Sequence, residues 1–428
     1  MFAHPSAEEF RNVLEQHVID VWFPRCLDTG YGGYLCDFDR TWKSAGPHDK
    51  LIEFQARQLL FAAEAFRLFP QDGRLGTAID HGLRYLREVM WDHDSGGWFH
   101  LLDRSGLPLE GQTKHVHGAA YAIQACCAVY EALGDADALL HARAGFDWME
   151  RYARDNRNGG YYGFLQRDGT VICDRSQWHM ETDPTGTLIG LKDINVHCDL
   201  LEALSCLYRV WPDATVGERL RETVDLFCSR LFAVPADLHF YYQPDWTPIP
   251  RIINFGYQFQ AVFRLLLARG QLAGVDDERI NSVARSLMDR ALMRAHDARG
   301  GGYYAYAEPG EPPRWLRHTA RLARTKPWWV QTEILKAALA LSRVESTAPH
   351  YIRCFQEQWK YFRDHFLDQR YGGSFCFDSD GFLGLNSLTP LALRPRSDLY
   401  KGGVWKDASH DGRAWVYCIT SLRDRQDE

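Results

Sequence analysis

Side chains that could carry out acid–base chemistry are clustered in six segments of the chain that are otherwise strongly apolar. An imidazole such as that of His410 titrates near neutral pH and can take up and return a proton, including one bound to carbon. A guanidinium such as that of Arg57 can stabilise the negative charge that this step creates on a neighbouring oxygen. The polar and aromatic members of the six clusters are Arg57; Lys114, His115 and His117; Lys192, Asn195, His197, Asp199 and Glu202; Asn254, Tyr257 and Gln260; Trp328, Trp329, Gln331 and Glu333; and Trp405, Lys406, His410, Asp411 and Arg413.

A repeated turn precedes most of these clusters. A Gly-Gly pair followed by a segment rich in aromatic residues occurs in five copies, which begin at Gly32, Gly96, Gly159, Gly301 and Gly372. Paired glycines supply the positive φ angles of a tight turn, and the alternation after them predicts a short hairpin strand. The interval between the third and fourth copies is about twice the others, which predicts a degraded sixth copy near Asp237, in the segment DLHFYYQPDWTP. The sequence therefore predicts a sixfold repeat.

Two helical segments accompany each turn, one apolar throughout and one amphipathic. The predicted apolar helices are 51–69, 114–133, 192–211, 256–272, 326–344 and 405–422. The predicted amphipathic helices are 7–22, 75–90, 137–154, 216–232, 279–295 and 349–366.

Six mostly buried helices and six half-exposed helices pack most economically as an inner ring inside an outer ring. The sequence thus predicts an all-α fold, an (α/α)6 barrel of twelve helices with short β-hairpins on one face, in a single domain over residues 1–428. An open solenoid would need polar capping repeats at its ends, and neither terminus has that character. Each hairpin directly precedes an inner helix, so the polar clusters in the first turns of these helices should line one cavity at the hairpin face.

Three lysines begin predicted inner helices, namely Lys114, Lys192 and Lys326. Positive charge at a helix N-terminus opposes the helix dipole. We therefore expect each ammonium group to pair with a carboxylate, such as that of Glu202 or Glu333, in a structural role.

The overall composition is that of an ordinary soluble protein, with 46% hydrophobic and 25% charged residues. A net charge of −7 without a basic run disfavours binding to nucleic acid or to an anionic membrane surface. We find neither a secretory signal at the start nor a membrane-spanning apolar stretch. The 11 cysteines include no C-x-x-C pair, which disfavours a zinc site and favours reduced thiols. We expect a cytoplasmic protein with a small-molecule partner.

The motifs in these clusters resemble one known family. The segments KDINVHCDLLEA, FQAR, KPWWVQTE and WKDASHDGR are similar to motifs of the N-acylglucosamine 2-epimerase superfamily, which includes cellobiose 2-epimerases and mannose isomerases. The motifs occur in the family's order and the resemblance spans essentially the whole chain. It implies an (α/α)6 barrel that acts on a sugar, a free aldose or an N-acylhexosamine. A base removes the C2 proton to give an enediol or enolate, and reprotonation at C2 gives the epimer, or at C1 the ketose. The reaction requires neither a cofactor nor a metal, and a homodimer is left open.

The resemblance also assigns roles to individual residues. Arg57 matches a ligand of the sugar oxygens, Trp328 and Trp329 match a stacking platform, and His410 matches a catalytic histidine. Taken alone, Arg57 could be an ion-pair partner and His410 a capping or core histidine. The other substrate-binding residues that we predict are Asn195, His197, Gln260, Glu333, Trp405 and Arg413.

Two predicted catalytic positions depart from the family pattern. Where the epimerases have Gly-His-x-x-Glu on the fourth inner helix, this chain has Gly256, Tyr257 and Gln260. A histidine that the family places three residues before Glu202 is Asp199 here. A phenol has an ordinary pKa near 10, so Tyr257 would need a neighbouring cation to act as an acid near neutral pH. Arg57, Arg413 and His117 are the candidate cations.

His117 completes the predicted catalytic set, because it stands where many members of the family have tyrosine. One interpretation is an exchange of histidine and tyrosine between neighbouring inner helices. Another is a site with one histidine, in which His410 works with Tyr257 or Asp199.

Two further functions remain as alternatives. A glycoside hydrolase would need two carboxylates facing each other across the scissile bond, for which Asp199 with Asp411 or with Glu333 are the candidate pairs. A sugar-binding or regulatory protein could keep the pocket without the catalysis, as the substitutions at Asp199, Tyr257 and Gln260 would suggest.

Overall fold

Twelve helices of two kinds alternate along the chain in a computed structural model that describes residues 5–232, 237–307, 325–344, 349–379 and 399–427. The amphipathic helices are α1 (Ala7–Leu14, extended by a π-helical turn at Glu15–Ile19 and by Asp20–Trp22), α3 (Gly73–Glu88), α5 (Ala136–Tyr152), α7 (Ala214–Leu226, extended by a π-helical turn at Phe227–Leu231), α9 (Asp277–Ala295) and α11 (Pro349–His365). The apolar helices are α2 (Ile52–Leu68), α4 (Val116–Leu133), α6 (Ile194–Val210), α8 (Phe255–Arg269), α10 (Trp328–Val344) and α12 (Ser409–Asp427).

The apolar helices form a closed inner ring. On α4 every residue from 116 to 129 is buried, and on α6 every residue from 194 to 207. Each inner helix packs on the next one along the chain, and α12 packs back on α2. Each of the outer helices α3, α5, α7, α9 and α11 packs on the inner helix before it, and α1 packs on α12. The predicted (α/α)6 barrel is confirmed. None of the helices in the described ranges combines the length and the hydrophobicity that crossing a bilayer requires.

Four inner helices begin two or more residues later than predicted, at Val116, Ile194, Trp328 and Ser409. In three of them the preceding lysine belongs to a strand, because its backbone pairs with a neighbouring hairpin. On α6, the side chain of Asp193 caps the helix by accepting a hydrogen bond from the backbone N–H of Val196 at 2.7 Å. A cap of this kind fixes the first turn of the helix and the side chains on it.

Short antiparallel strands connect the repeats at one face of the barrel. They are β1 (Lys50–Leu51), β2 (Leu101–Leu102), β3 (Lys114–His115), β4 (Phe164–Leu165), β5 (Lys192–Asp193), β6 (His239–Tyr242), β7 (Pro248–Asn254), β8 (Tyr306–Ala307), β9 (Thr325–Pro327) and β10 (Phe377–Ser379). The pairs are β1 with β2, β3 with β4 and β9 with β10, and the remaining strands form one sheet in the order β5-β6-β7-β8. Strands that lead into an inner helix thus pair with strands of a following repeat, which ties neighbouring repeats together.

The five Gly-Gly turns share one construction. Both glycines have positive φ angles in every copy, which explains why no larger residue occupies these positions. An aspartate four residues before the first glycine accepts backbone hydrogen bonds inside the turn; Asp155, for example, binds the N–H groups of Arg157 and Asn158 at 2.9 and 3.1 Å. The tails of the last two copies, residues 308–310 and 380–381, lie outside the described residues.

A buried lysine holds each of these aspartates. The Nζ–Oδ2 distances are 3.0 Å for Lys50–Asp28, 3.0 Å for Lys114–Asp92, 2.7 Å for Lys192–Asp155, 2.7 Å for Lys326–Asp297 and 3.0 Å for Lys401–Asp368. The prediction that Lys114, Lys192 and Lys326 pair with carboxylates is therefore confirmed, although the partners are turn aspartates and not Glu202 or Glu333. Each lysine lies in or beside the hairpin layer, so its nearest carboxylate is the one in the adjoining turn.

The degraded sixth copy has its strand, β6, but no glycine turn. Its aspartate, Asp237, is bound by Arg290 and Arg294 of α9 at 3.4 and 2.7 Å, so arginines replace the lysine of the other copies. Residues 233–236, just before it, lie outside the described part of the chain.

Candidate active site

A chain of buried ion pairs crosses the inner ring and descends along the barrel. It begins at Glu53, the second residue of α2, whose Oε1 lies 2.9 Å from Nδ1 of His117 on α4. The His117 Nε2 lies 2.7 Å from Oδ2 of Asp199 on α6, and Oδ1 of that aspartate lies 2.5 Å from Nη2 of Arg264 on α8. The series of ion pairs continues through Glu202 to Arg413 on α12, so it joins five inner helices.

The contacts in the second half of this ion-pair network are equally short. Arg264 Nε donates to Oε2 of Glu202 at 2.7 Å, and Arg413 Nη2 donates to the other oxygen of Glu202 at 2.6 Å. Arg413 also binds Glu64 of α2 through two hydrogen bonds of 2.9 Å. Burial opposes ionisation, but Arg413 and Arg264 lower the pKa of Glu202. Glu202 is therefore ionised at neutral pH.

His117 is held as an imidazolium between two carboxylates. Burial disfavours its charge, yet Asp199 and Glu53 raise the pKa of His117 to about 9. The contact with Asp199 is short but is not aligned as a hydrogen bond, so the attraction is mainly between the charges. Since its side chain is only 2% exposed and both ring nitrogens face carboxylates, His117 offers no nitrogen to a ligand.

The raised pKa of His117 predicts a pH-dependent stability. A histidine whose pKa is higher in the folded state stabilises the fold below its unfolded pKa, and this contribution is lost as the pH rises through the folded pKa. We expect the free energy of unfolding of the wild type to exceed that of the His117→Gln variant most at pH 6, by at most about 3 kcal/mol. The difference should shrink towards pH 9.5. Urea unfolding across this range measures it, and a difference that does not change with pH would contradict the assignment.

His410 differs from His117 because one of its ring nitrogens has no hydrogen-bond partner among the residues that the structure describes. It lies in the first turn of α12, and its Nδ1 is 3.1 Å from Oε1 of Glu333 on α10. Glu333 also binds Lys336 at 2.8 Å, and although burial opposes this, Lys336 and His410 lower the pKa of Glu333 to about 2. An ionised Glu333 can only accept a hydrogen bond, so we assign the proton of His410 to Nδ1.

The charges and the burial around His410 keep its imidazole neutral, as a general base requires. Burial lowers its pKa by more than Glu333 raises it, and the nearby charge of Arg57 lowers it further. The imidazole is therefore neutral at pH 7. Its side chain is 10% exposed, and no described residue hydrogen-bonds to Nε2. A neutral ring with an open Nε2 can accept a proton from a bound molecule.

Arg57 of α2 lies close to this histidine. Its guanidinium stacks over the ring of Tyr121 at 4.1 Å and lies 3.8 Å from Oδ2 of Asp407, just before α12. Burial disfavours its charge, but Tyr121 and Asp407 raise the pKa of Arg57, so it remains a cation. Within the described residues its Nε has no hydrogen-bond partner, although it is buried. Arg57 thus keeps a donor for an incoming oxygen.

Aromatic rings surround His410. Trp329 contacts both His410 and Tyr257, with ring centroids 5.8 and 5.5 Å apart. Trp328 meets His410 edge-on at 6.0 Å and is covered by the ammonium group of Lys406, 4.5 Å from its ring. A Cβ atom at Gly256 would lie 2.1 Å from Trp329, so the glycine is required for this packing.

Two tryptophans near these residues, Trp329 and Trp405, are partly exposed and can contact a ligand. Trp405 is 41% exposed and lies with its ring 6.3 Å from His117. Stacking on such rings is how proteins commonly hold the apolar faces of sugars.

Tyr257 is not an acid poised near neutral pH. Burial and the charge of Asp199 raise its pKa well above 10, and the opposing influence of Arg57 is smaller. Neither His117 nor Arg413 reverses this, because each is paired with carboxylates. Tyr257 can donate a hydrogen bond as a phenol, but the structure provides no lowered pKa for it.

His197, a predicted substrate ligand, is used by the fold. Its Nε2 accepts a hydrogen bond from the backbone N–H of Tyr161 at 3.1 Å, and its Nδ1 lies 2.8 Å from the carbonyl oxygen of Asp193. Burial lowers the pKa of His197 to about 3, so it is neutral. Both nitrogens are engaged under the third Gly-Gly turn, so the structure does not bring His197 to the site.

Two other predicted ligands, Gln260 and Arg413, are also engaged by the fold, whereas a third, Asn195, stays a prediction. Gln260 accepts a hydrogen bond from Arg264 at 3.1 Å and so supports the buried network. Arg413 belongs to the same network and lines a second cavity of about 550 Å³, formed by the later turns of the inner helices with Glu64, Glu202 and Lys336. Asn195, in the first turn of α6, is buried, and within the described residues its Oδ1 lacks a hydrogen-bond partner.

The proposed interchange of His117 and Tyr257 between neighbouring helices is wrong. Their helices, α4 and α8, are separated in the ring by α6. The two side chains instead interact with Asp199 of α6 from the helices on either side of α6, His117 by direct contact and Tyr257 electrostatically.

Residues that the sequence analysis missed include Glu53, Arg264 and Lys336. Each is a charged residue within an otherwise apolar inner helix, and that contrast was the available signal. Glu53, His115 and His117 also lie close enough to suggest a metal site. However, His115 uses Nδ1 to accept from the backbone of His117 at 3.2 Å and Nε2 to bind Asp183 at 3.0 Å, so its nitrogens are committed to the protein.

The carboxylates nominated for glycoside hydrolysis are all engaged. Asp199 is bound by two cations, and Glu333 by Lys336 and His410. Asp411 accepts a hydrogen bond from Ser374 at 2.5 Å. Arg264 and His117 outweigh burial and lower the pKa of Asp199, so neither it nor Glu333 can serve as a protonated acid at neutral pH.

Comparison with known proteins agrees with this geometry. The cellobiose 2-epimerase of Bacteroides fragilis is 25% identical over 416 residues, which cover 96% of this chain and 97% of that protein. The solved cellobiose 2-epimerase of Spirochaeta thermophila aligns with a TM-score of 0.82 at 25% identity, covering 98% of this chain and 97% of that one. A solved D-mannose isomerase has a TM-score of 0.80 at 20% identity, covering 99% and 100%.

The family model described as N-acylglucosamine 2-epimerase (GlcNAc 2-epimerase) matches residues 32–141 and 174–376, well over half of the chain. These ranges include Arg57, Asp199, Tyr257 and Trp329. The chain belongs to the N-acylglucosamine 2-epimerase family.

Proposed function

We propose that this protein is a sugar 2-epimerase or aldose–ketose isomerase that acts at C2 of a free aldose or an N-acylhexosamine. The observation that carries the proposal is His410: a neutral imidazole, oriented through Nδ1 by Glu333, with Nε2 open beside Arg57 and Trp329. Proton transfer to and from carbon needs a base of this kind.

The residues around His410 divide the remaining work. The sugar would bind in its open-chain form against Trp329 and Trp405. His410 Nε2 removes the C2 proton, and the negative charge that develops on the carbonyl oxygen is stabilised by the guanidinium of Arg57. Reprotonation of the enediol or enolate at C2 or C1 then gives the epimer or the ketose. Glu333 stabilises the imidazolium that forms in between.

The relatives support a sugar substrate. Two of the similar proteins are named for cellobiose and one for D-mannose. Among the free aldoses and N-acylhexosamines proposed above, these names favour a β-linked disaccharide with a free reducing end or a free hexose. For the glycoside hydrolase alternative, each of the nominated carboxylates Asp199, Glu333 and Asp411 is already bound by another described residue.

We further propose a single domain over residues 1–428 and a cytoplasmic location. All 11 cysteines are free, and ten of them are buried, as expected in a reducing compartment. The location can be tested by isolating the protein from cells under alkylating conditions, denaturing it and labelling its thiols. Oxidised cysteines would contradict a cytoplasmic location. A homodimer stays a prediction that light scattering can test.

The proposed activity is tested by incubating the protein with a panel of free sugars in deuterium oxide. Mannose, glucose, N-acetylmannosamine, lyxose and cellobiose are the members of the panel. We expect NMR to show deuterium entering at C2 of at least one aldose or at C1 of its ketose. A protein that binds a sugar without any exchange would instead be a binding or regulatory protein.

The state of His410 predicts the pH dependence of the reaction. Because its pKa lies below 6.5, kcat/KM should fall on the acidic side with a midpoint below 6.5, as protonation removes the base. Replacing Glu333 by glutamine removes the carboxylate that raises this pKa, so the midpoint should move further towards acid. A pH profile of both proteins measures the shift. A midpoint well above 6.5, or one unmoved in Glu333→Gln, would show that another group titrates.

A further inference from the structure

The site contains one usable acid–base group within the described part of the chain. His410 has an open Nε2, whereas both nitrogens of His117 face carboxylates at 2.9 and 2.7 Å. Asp199 is held by His117 and by Arg264, and its side chain is 1% exposed. Tyr257, where the family pattern has its second histidine, is a phenol, and Gln260 is an amide that binds Arg264. Asp407, whose charge also acts on His410, lies 3.8 Å from the guanidinium of Arg57. Among the residues that the structure describes, the imidazoles and carboxylates named here other than His410 therefore each have a charged or polar partner in the fold.

The number of bases limits the stereochemistry at C2. Inversion requires that the proton leave one face of C2 and return to the opposite face, so a second donor must stand across the planar enediol. Transfer from C2 to C1 needs no second donor, because both carbons of a cis-enediol present the same face to the same base. A site with one base thus performs aldose–ketose isomerisation more readily than epimerisation.

We propose that this enzyme interconverts an aldose and its 2-ketose by a same-face proton transfer through His410, and that C2 epimer is at most a minor product. The inference rests on the proposed function and specifies which of its two reactions takes place. The substitution that favours isomerisation over epimerisation is the presence of Tyr257 where the family pattern has its second histidine.

The reaction balances without any other reactant. His410 Nε2 takes the hydrogen from C2 and returns it, or a solvent proton exchanged for it, to C1. The proton that the C2 hydroxyl loses is transferred to the C1 oxygen, so that the C1 carbonyl becomes a hydroxyl and the C2 hydroxyl becomes the carbonyl. Arg57 stays protonated throughout and stabilises the charge shared by the two oxygens. Tyr257 is a protonated phenol both before and after each turnover.

The contacts of Trp329 support this assignment of Tyr257. The tryptophan ring contacts the phenol and His410 at 5.5 and 5.8 Å, so the phenol and the base pack against the same ring. Because burial and Asp199 keep it protonated, it can donate a hydrogen bond to a sugar oxygen but cannot accept a carbon-bound proton at neutral pH. Tyr257 occupies the sequence position of the family's second histidine, but its protonated phenol cannot act as a base at neutral pH.

The test uses the aldose that exchanges most rapidly in the panel, labelled with deuterium at C2 and incubated in ordinary water. We expect the ketose to form at least about tenfold faster than the C2 epimer, a ratio equal to about 1.4 kcal/mol in activation free energy. Part of the deuterium should appear at C1 of the ketose, on one face only. Epimer formed as fast as the ketose would overturn the inference. Neither product, with no exchange of C2, would overturn the proposed function itself.

A double variant tests the position directly. Tyr257→His with Gln260→Glu places an imidazole and a supporting carboxylate where the family pattern has them, and the introduced carboxylate could still accept a hydrogen bond from Arg264. We expect the epimer to rise at least about tenfold relative to the ketose. Gln260→Glu alone is the matched control and should still give mainly ketose. A double variant that forms ketose but gains no epimer would overturn the account of position 257.

Discussion

Replacement of His410 by asparagine is expected to lower the rate of C2 proton exchange by about 10²–10⁴-fold, the range typical for loss of a general base. The asparagine amide can still donate a hydrogen bond towards Glu333, so the carboxylate keeps a partner. What the variant lacks is the nitrogen corresponding to Nε2. Deuterium exchange followed by NMR measures the loss, and calorimetric titration with a sugar alcohol should show binding within about tenfold of the wild type.

His141→Asn is the matched control for this experiment. His141 lies on the outer helix α5, and its Nδ1 contacts only the carbonyl oxygen of Asp137 at 3.0 Å. The control should exchange protons at the wild-type rate. If His410→Asn kept more than about a tenth of that rate, another residue would have to be the base.

Replacement of Arg264 by methionine is expected to destabilise the fold by about 3–5 kcal/mol, as is usual when one partner of a buried ion pair is removed. Arg264 binds Asp199, Glu202 and Gln260, so its loss leaves two buried carboxylates each with one partner fewer. Urea unfolding at pH 7 measures the change. Arg279→Met removes an exposed pair with Asp225 at 3.1 Å and should cost less than about 1 kcal/mol.

The way in which the stability difference between the wild type and Arg264→Met changes with pH provides a second check on the role of Arg264. The pKa values of Asp199 and Glu202 are lowered in the folded protein, so the stability that Arg264 gives is present above their ordinary pKa of about 4 and is lost as the pH falls below it. The difference between wild type and Arg264→Met should thus shrink in acid. An equally small effect for Arg264→Met and Arg279→Met at pH 7 would show that the buried network contributes little.

The barrel could be predicted because its signals are local and repeated. The Gly-Gly turns, the alternation of apolar and amphipathic helices and the family motifs all indicate the same fold, and the family assignment confirms the predicted reaction class, a sugar 2-epimerase or isomerase. The helix starts were less accurate. Lys114 has a side chain that any helix accepts, and only its pairing with the neighbouring β4 places it in a strand.

The error at His197 has a simple structural origin. It is the fourth residue of α6, and the fourth residues of α2 and α10 are Gln55 and Gln331. Gln55 accepts from the backbone N–H of Tyr34 at 2.6 Å and Gln331 from that of Tyr303 at 3.0 Å, as His197 does from Tyr161. Aligning the repeats would have revealed a turn-binding position rather than a sugar ligand.

The buried network could not be predicted from the sequence, because its contacts join different inner helices. Asp199 and Arg264 are far apart along the chain, and which face of α8 meets α6 depends on the closure of the whole ring. The same closure decides that Arg413 binds Glu64 and Glu202 and does not reach the site of His410.

A crystal structure with a bound open-chain polyol, such as mannitol, tests most directly whether the cavity beside His410 is the site of reaction. The account predicts that C1 and C2 of the polyol lie within about 4 Å of His410 Nε2, as a near-attack geometry requires. An adjoining oxygen should bind Arg57, and the carbon chain should lie against Trp329. A polyol bound instead in the second cavity beside Arg413 and Lys336, or one whose C2 lies beyond the reach of His410, would contradict the account.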